Sequence, residues 1–172
     1  MKVFTRLYEW TLRWAEHKFA PRILAFLTFI ESIFFPIPPD VMLAPMVLAK
    51  PQSAWRLATI TTVASILGGA VGYWLGYLMF EPWIQPIITE FGYQARFDKA
   101  INWFQEWGVW VVFIAGFSPV PYKLFTVSAG FLHMAFLPFF ITSAVGRGMR
   151  FFLVAGLIKW GGSPMERKIR QW

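Results

Sequence analysis

ESIFFPIPPD, residues 31–40, is the stretch whose reading decides the fold. An apolar run carries one carboxylate, Glu31, enters three prolines, Pro36, Pro38 and Pro39, and ends on a second carboxylate, Asp40. Proline lacks a backbone N–H and its ring clashes with the preceding turn, so a helix breaks here. SPVPYK, residues 118–123, echoes it: Pro119, Pro121 and Lys123 repeat the spacing of Pro36, Pro38 and Asp40 with the terminal charge reversed. Two proline-broken segments at corresponding places in two halves of a chain are the pattern of a transporter core built from internal repeats.

The composition around these segments belongs to a membrane protein. Of 172 residues, 57% are hydrophobic, 20% aromatic and only 15% charged, outside the range of ordinary globular domains. No cysteine is present, which excludes disulfides and thiolate metal sites, and the two histidines, His17 and His133, are far apart. No metal and no cofactor is therefore expected. The formal charge of +7 does not point to nucleic acid, because the bases gather at the two ends of the chain; anionic lipid is the better partner. The first residues lack a short apolar region with a small-residue cleavage site, so no signal peptide is expected.

Outward from the proline breaks, the sequence divides as follows. Residues 1–20 mix aromatics with Lys2, Arg6, Arg13 and Lys18 as an amphipathic interfacial helix does. Residues 21–160 form the membrane domain. In it, 23–49 is cut by its prolines into pieces shorter than the roughly 20 residues a crossing needs, and is expected to be a re-entrant hairpin; one broken helix that crosses is the alternative. Residues 57–80 form the first transmembrane helix, with Gly68, Gly72 and Gly76 on one stripe for close helix packing. An amphipathic linker, 81–107, precedes a second hairpin, 109–133, and a second transmembrane helix, 136–160. Residues 161–172 form a basic tail. Lys and Arg concentrate at both ends and at Lys50 and Arg56, whereas 81–107 holds two bases and four acids, so both termini should be cytosolic. A hairpin plus one crossing makes an odd repeat, so the second copy must be inverted, which brings Asp40 and Lys123 towards each other.

Five ionisable residues lie inside apolar segments: Glu31, Asp40, Lys123, Arg147 and Arg150. Each costs about 2.5–3.5 kcal/mol at a helix centre on insertion scales, so they must face one another or a watery cavity. Arg147 and Arg150 share a helical face, and a guanidinium fork suits phosphate or carboxylate. Glu31 and Asp40 are placed to neutralise these bases or to exchange protons. A static salt-bridge network has the same sequence signature as a transport site with its charges paired at rest. No nucleophile and base stand together and no phosphate loop or metalloprotease motif is present, so no catalytic residue is assigned and the chain is not expected to be an enzyme.

ESIFFPIPPD, followed in order by GGAVGYWLGY, GFSPVPYKLFTVSAGFLHM and GRGMRF, resembles the DedA family of bacterial inner-membrane proteins, also called the SNARE-associated or VTT-domain family, and most closely its YqaA-like branch. The resemblance covers roughly Ile30 to Phe152. It implies two opposed re-entrant hairpins and a role in flipping or scrambling phospholipids or recycling undecaprenyl phosphate, linked in some members to the proton gradient. Membrane-embedded acids of the family's first hairpin fall here on Glu31 and Asp40, and its bases in and after the second hairpin on Lys123, Arg147 and Arg150. Many members place arginines around the second proline turn; this chain has none between Arg96 and Arg147, which leaves the headgroup open.

The resulting expectation is an all-α, multi-pass protein of the bacterial inner membrane that moves an anionic lipid between leaflets, with Glu31 and Asp40 as the groups for proton coupling. Lys123, Arg147 and Arg150 would bind the phosphate, and a small-residue stripe left exposed would suit a homodimer. The alternatives are a non-transporting scaffold for envelope stability and a proton-coupled ion or solute exporter.

Overall fold

The computed structural model describes residues 13–33, 38–119 and 121–170, with side chains to residue 162. The interfacial helix expected over residues 1–20 therefore lies mostly outside the described residues, as do Pro36 and most of the basic tail's side chains.

Helix α1 (Ala20–Glu31) starts on Pro21 in its first turn, where a missing N–H costs nothing. Helix α2 (Asp40–Ala49) begins directly after Pro39, with Asp40 at its positive end. After a short 3-10 turn, Pro51–Ser53, helix α3 (Ala54–Met79) runs for 26 residues, about 39 Å at 1.5 Å per residue, enough to cross a hydrocarbon core of about 30 Å. It continues through a π-helical turn, Phe80–Ile84, into the short α4 (Gln85–Glu90). Pro82 and Pro86 each remove a ladder hydrogen bond there, a recognised cause of such irregularity. Helix α5 (Gln94–Phe117) stops where Ser118 turns extended ahead of Pro119, as a residue before proline is driven to do. Helix α6 (Tyr122–Phe131) restarts after Pro121, and α7 (Phe136–Arg170) closes the chain.

The two long helices form the spine. Trp55 stacks near Phe152 at 5.9 Å and Tyr73 near Phe139 at 4.9 Å, so α3 and α7 run antiparallel. The first limb of each broken pair packs on the long helix that follows it, α1 on α3 and α5 on α7; the second limb packs on the long helix of the other half, α2 on α7 and α6 on α3. Two apolar cores result. One joins Leu24, Leu43, Val47, Ala58 and Phe151; the other joins Tyr73, Phe104, Val112, Ala129 and Phe139. Between them, midway along α3 and α7, lie the charges.

Outward, α7 shows Leu137, Ile141, Val145, Met149, Leu153 and Leu157, all exposed, while Phe139, Arg147, Phe151 and Ala155 are buried. An apolar stripe turned outward and an arginine turned inward is the arrangement of a helix in lipid. Both α3 and α7 are long and apolar enough to span.

The helices differ from the sequence reading in three respects. Residues 94–117 are one helix, so there is no break between the linker 81–107 and the hairpin 109–133: polar residues at its start keep helical period, and nothing before Ser118 stops it. Helix α7 continues past residue 160 to Arg170, taking in most of the segment set apart as a tail, because Gly161 and Gly162 do not break it. The small-residue stripe is not exposed. Gly68, Gly72 and Gly76 are buried, and a Cβ there would run into the Phe29 carbonyl, into Thr126 Oγ1 at 2.6 Å and into the Val127 carbonyl respectively. The stripe is spent on α1 and α6, and it offers no face to a second copy.

Candidate functional site

The site is built where the two proline breaks meet the middle of the spine. Glu31 is the last residue of α1 and Asp40 the first of α2. Arg147 and Arg150 project from one face of α7. Arg147 Nη2 donates to Glu31 Oε2 at 3.4 Å. Arg150 Nη2 donates to Asp40 Oδ2, and Arg150 Nη1 donates to the Ser118 carbonyl. That carbonyl caps α5, where a helix end leaves acceptors without ladder partners. One arginine thus ties both proline breaks together.

The two arginines are held differently. The Arg147 side chain is 3% exposed, its Nε donates to Ser65 Oγ at 2.6 Å, and Ser65 in turn contacts Ser32 Oγ at 3.0 Å. Tyr122 and Phe151 cover the guanidinium with ring centroids each 4.7 Å from Cζ. Arg147 is enclosed on every side that these contacts define. Arg150, at 14%, and Asp40, at 26%, are more open. The other Asp40 oxygen, Oδ1, is buried without a hydrogen-bond partner among the described residues, which leaves an acceptor for a proton or an incoming donor.

Glu31, Asp40, Lys123, Arg147 and Arg150 line one cavity of about 600 Å³, edged by Pro38, Pro39, Pro119 and Pro121. All five embedded charges therefore meet, and Asp40 and Lys123 share the cavity. Two ion pairs are direct: the Asp40 carboxylate neutralises the Arg150 guanidinium, and Glu31 that of Arg147. Gly68, Gly72 and Gly76 do not line this cavity; they set how closely α1 and α6 approach α3. Chemically, the cavity pairs two carboxylates with three bases, a set that can exchange an internal anion for an external one.

Sequence reasoning missed Ser65, Ser32 and Tyr122. Ser65 had a signal, since it lies on the same face of α3 as Gly68 and Gly72, where a hydroxyl among small residues faces protein and not lipid. Tyr122 follows the second proline turn, but in a chain that is 20% aromatic nothing set it apart.

Comparison with known proteins adds the family. Over 171 residues, 99% of this chain and 88% of the other, the chain is 51% identical to an uncharacterized protein of Haemophilus influenzae. It is 28% identical over 137 residues to undecaprenyl phosphate transporter A of Staphylococcus aureus, covering 75% of this chain and 68% of that one. Inner membrane protein YqaA of Escherichia coli is 24% identical over 138 residues, 77% of this chain and 90% of that protein. No solved structure matches the chain. The family model for the VTT domain matches residues 35–159, a range that holds Asp40, both proline breaks, Lys123, Arg147 and Arg150, and the chain belongs to the VTT-domain, or DedA, family.

Proposed function

We propose that this chain is a carrier of the bacterial inner membrane that moves an anionic lipid headgroup, of a phospholipid or of undecaprenyl phosphate, between leaflets. The observation that carries the reading is the convergence of two acids and three bases on one cavity of about 600 Å³, a volume in the range of small-ligand sites. The relatives undecaprenyl phosphate transporter A of Staphylococcus aureus and inner membrane protein YqaA of Escherichia coli support such a cargo and location. The contact pattern supports an inverted repeat, since each first limb rests on its own long helix and each second limb on the other's. At 12, 10 and 10 residues, α1, α2 and α6 reach about 15–18 Å, short of a crossing, which supports re-entrant limbs. The basic ends support a cytosolic location for both termini.

In the proposed cycle, a phosphate enters at Lys123 and Arg150. Asp40 takes a proton, which frees Arg150 for the phosphate; return of the headgroup to the other leaflet lets Asp40 ionise and reclaim its partner.

One observation favours a structural part within the same site. Arg147, enclosed by Ser65, Tyr122 and Phe151, is fitted to hold α1 against α7, whereas Arg150 and Asp40 form the exchangeable pair. The test is translocation of fluorescent phosphatidylglycerol and of undecaprenyl phosphate in proteoliposomes, with and without a proton gradient. Wild type should carry flux, and Arg150→Gln should lose at least about tenfold while melting near the wild-type temperature. Absence of flux for every lipid under either condition would replace the carrier by a scaffold.

A further inference from the structure

A second cavity, of about 180 Å³, lies at the start of α3 and shares no residue with the first. His17, Lys18, Lys50, Ser53 and Arg56 line it over an apolar floor that includes Leu57. Leu57 precedes Ser65 by two helical turns, so the cavity sits about 12 Å along the axis from the embedded charges, towards the end of the helix. No carboxylate is among the described lining residues, and Glu16, next to His17 in the chain, does not reach it. Three permanent positive charges around so small a space repel one another, and an anion placed between them removes the repulsion. The first turn of α3 adds to this field, since Ser53 makes no side-chain cap and the positive end of a 26-residue helix points here.

The surroundings fix the kind of anion. Trp14, Phe19, Trp55 and Trp160 are exposed nearby on α3, α7 and the segment before α1, and the Lys159 ammonium lies 5.2 Å over the Trp55 ring. Aromatic rings with snorkelling bases mark the headgroup level of a bilayer. At about 30 Å³ per water, the cavity holds roughly six waters, room for a phosphate group and the first atoms of its ester, with the acyl chains left outside.

We infer that this cavity is a surface binding site for the phosphate of an anionic lipid, separate from the transport cavity and independent of the transport reading. Lys18, Lys50 and Arg56 are its ligands. All three are exposed, so their replacement should leave the fold intact.

The full chain in phosphatidylcholine nanodiscs is titrated with a fluorescent phosphatidylglycerol, with labelled phosphatidylcholine as the neutral probe and inorganic phosphate as competitor. Wild type should prefer phosphatidylglycerol by at least about tenfold, and the preference should fall with added sodium chloride. Lys18→Gln/Lys50→Gln/Arg56→Gln should lose one class of bound phosphatidylglycerol, Lys18→Arg/Lys50→Arg should keep it, and Arg150→Gln should keep it too. Equal binding by the triple variant and wild type would overturn the site. Complete displacement by millimolar inorganic phosphate would overturn the lipid assignment in favour of a free anion. Loss in Arg150→Gln, with the triple variant unchanged, would return the lipid to the transport cavity.

Discussion

Replacing Arg147 with Met removes a charge and strands its partner. The Glu31 side chain is 13% exposed and its direct base is Arg147, so the carboxylate would stay in a poorly solvated place with its closest counter-charge gone. Removing one member of a buried pair costs about 3–5 kcal/mol, mostly because the other charge remains buried. The lost hydrogen bond to Ser65 lies within that range. For a protein of this size each kcal/mol is worth roughly 2–4 °C of melting temperature, so Arg147→Met should melt about 10 °C below wild type. Adding Glu31→Gln removes the stranded charge and should return about half of the loss, near 2 kcal/mol, a coupling normal for contacting residues. The assay is a thermal melt in detergent micelles followed by tryptophan fluorescence, run on wild type, both single variants and the double variant. If the double variant melts at or below Arg147→Met, Glu31 and Arg147 are not energetically paired and the site geometry is wrong in its central claim.

Other perturbations read other contacts. Tyr73→Phe deletes the hydroxyl that donates to the Met134 carbonyl and should cost about 1 kcal/mol, a melt lower by about 3 °C. Gly130→Ala should cost about 1–3 kcal/mol, because its Cβ would overlap the Tyr73 carbonyl and push α6 off α3; Gly161→Ala, with nothing within 4 Å, should be neutral or raise stability by about 0.5–1 kcal/mol through helix propensity. If both glycine variants behave alike, the close approach of α3 and α6 is not real. On the carrier reading, Asp40→Asn keeps an acceptor for Arg150 but cannot exchange a proton, so flux should persist in proteoliposomes and lose its response to a proton gradient.

Much of this architecture was legible because its causes are local. A proline weakens a helix locally, so the end of α5 and the starts of α2 and α6 fall beside Pro119, Pro39 and Pro121, although Pro45 is carried inside α2. The long helices were legible as apolar length. The embedded charges stood out because hydrocarbon cannot hold them singly, and that argument requires only that they meet, not how. Which acid takes which base is a matter of register between α2, α6 and α7, and no local rule sets it. The same limit explains the small-residue stripe: Gly68, Gly72 and Gly76 announce a close neighbour but do not say whether it belongs to this chain. The unbroken helix from Gln94 to Phe117 was divided because its first half is polar, yet polarity changes along a helix as its surroundings change and does not end it.

The crossing of second limbs to the opposite long helix sets a timetable for synthesis. Asp40 meets Arg150 only after 110 further residues, and Glu31 meets Arg147 after 116. At about 5–20 residues per second, the acids leave the ribosome on the order of ten seconds ahead of their arginines. During that interval the first half has its limb α1 on α3 but no α7 to receive α2. The acids must then wait at the water-facing side, beside the insertion machinery, or enter as neutral acids. The salt bridges of the finished protein thus form only once α7 has been made, and a chain stalled before Arg147 would hold both acids without these two partners.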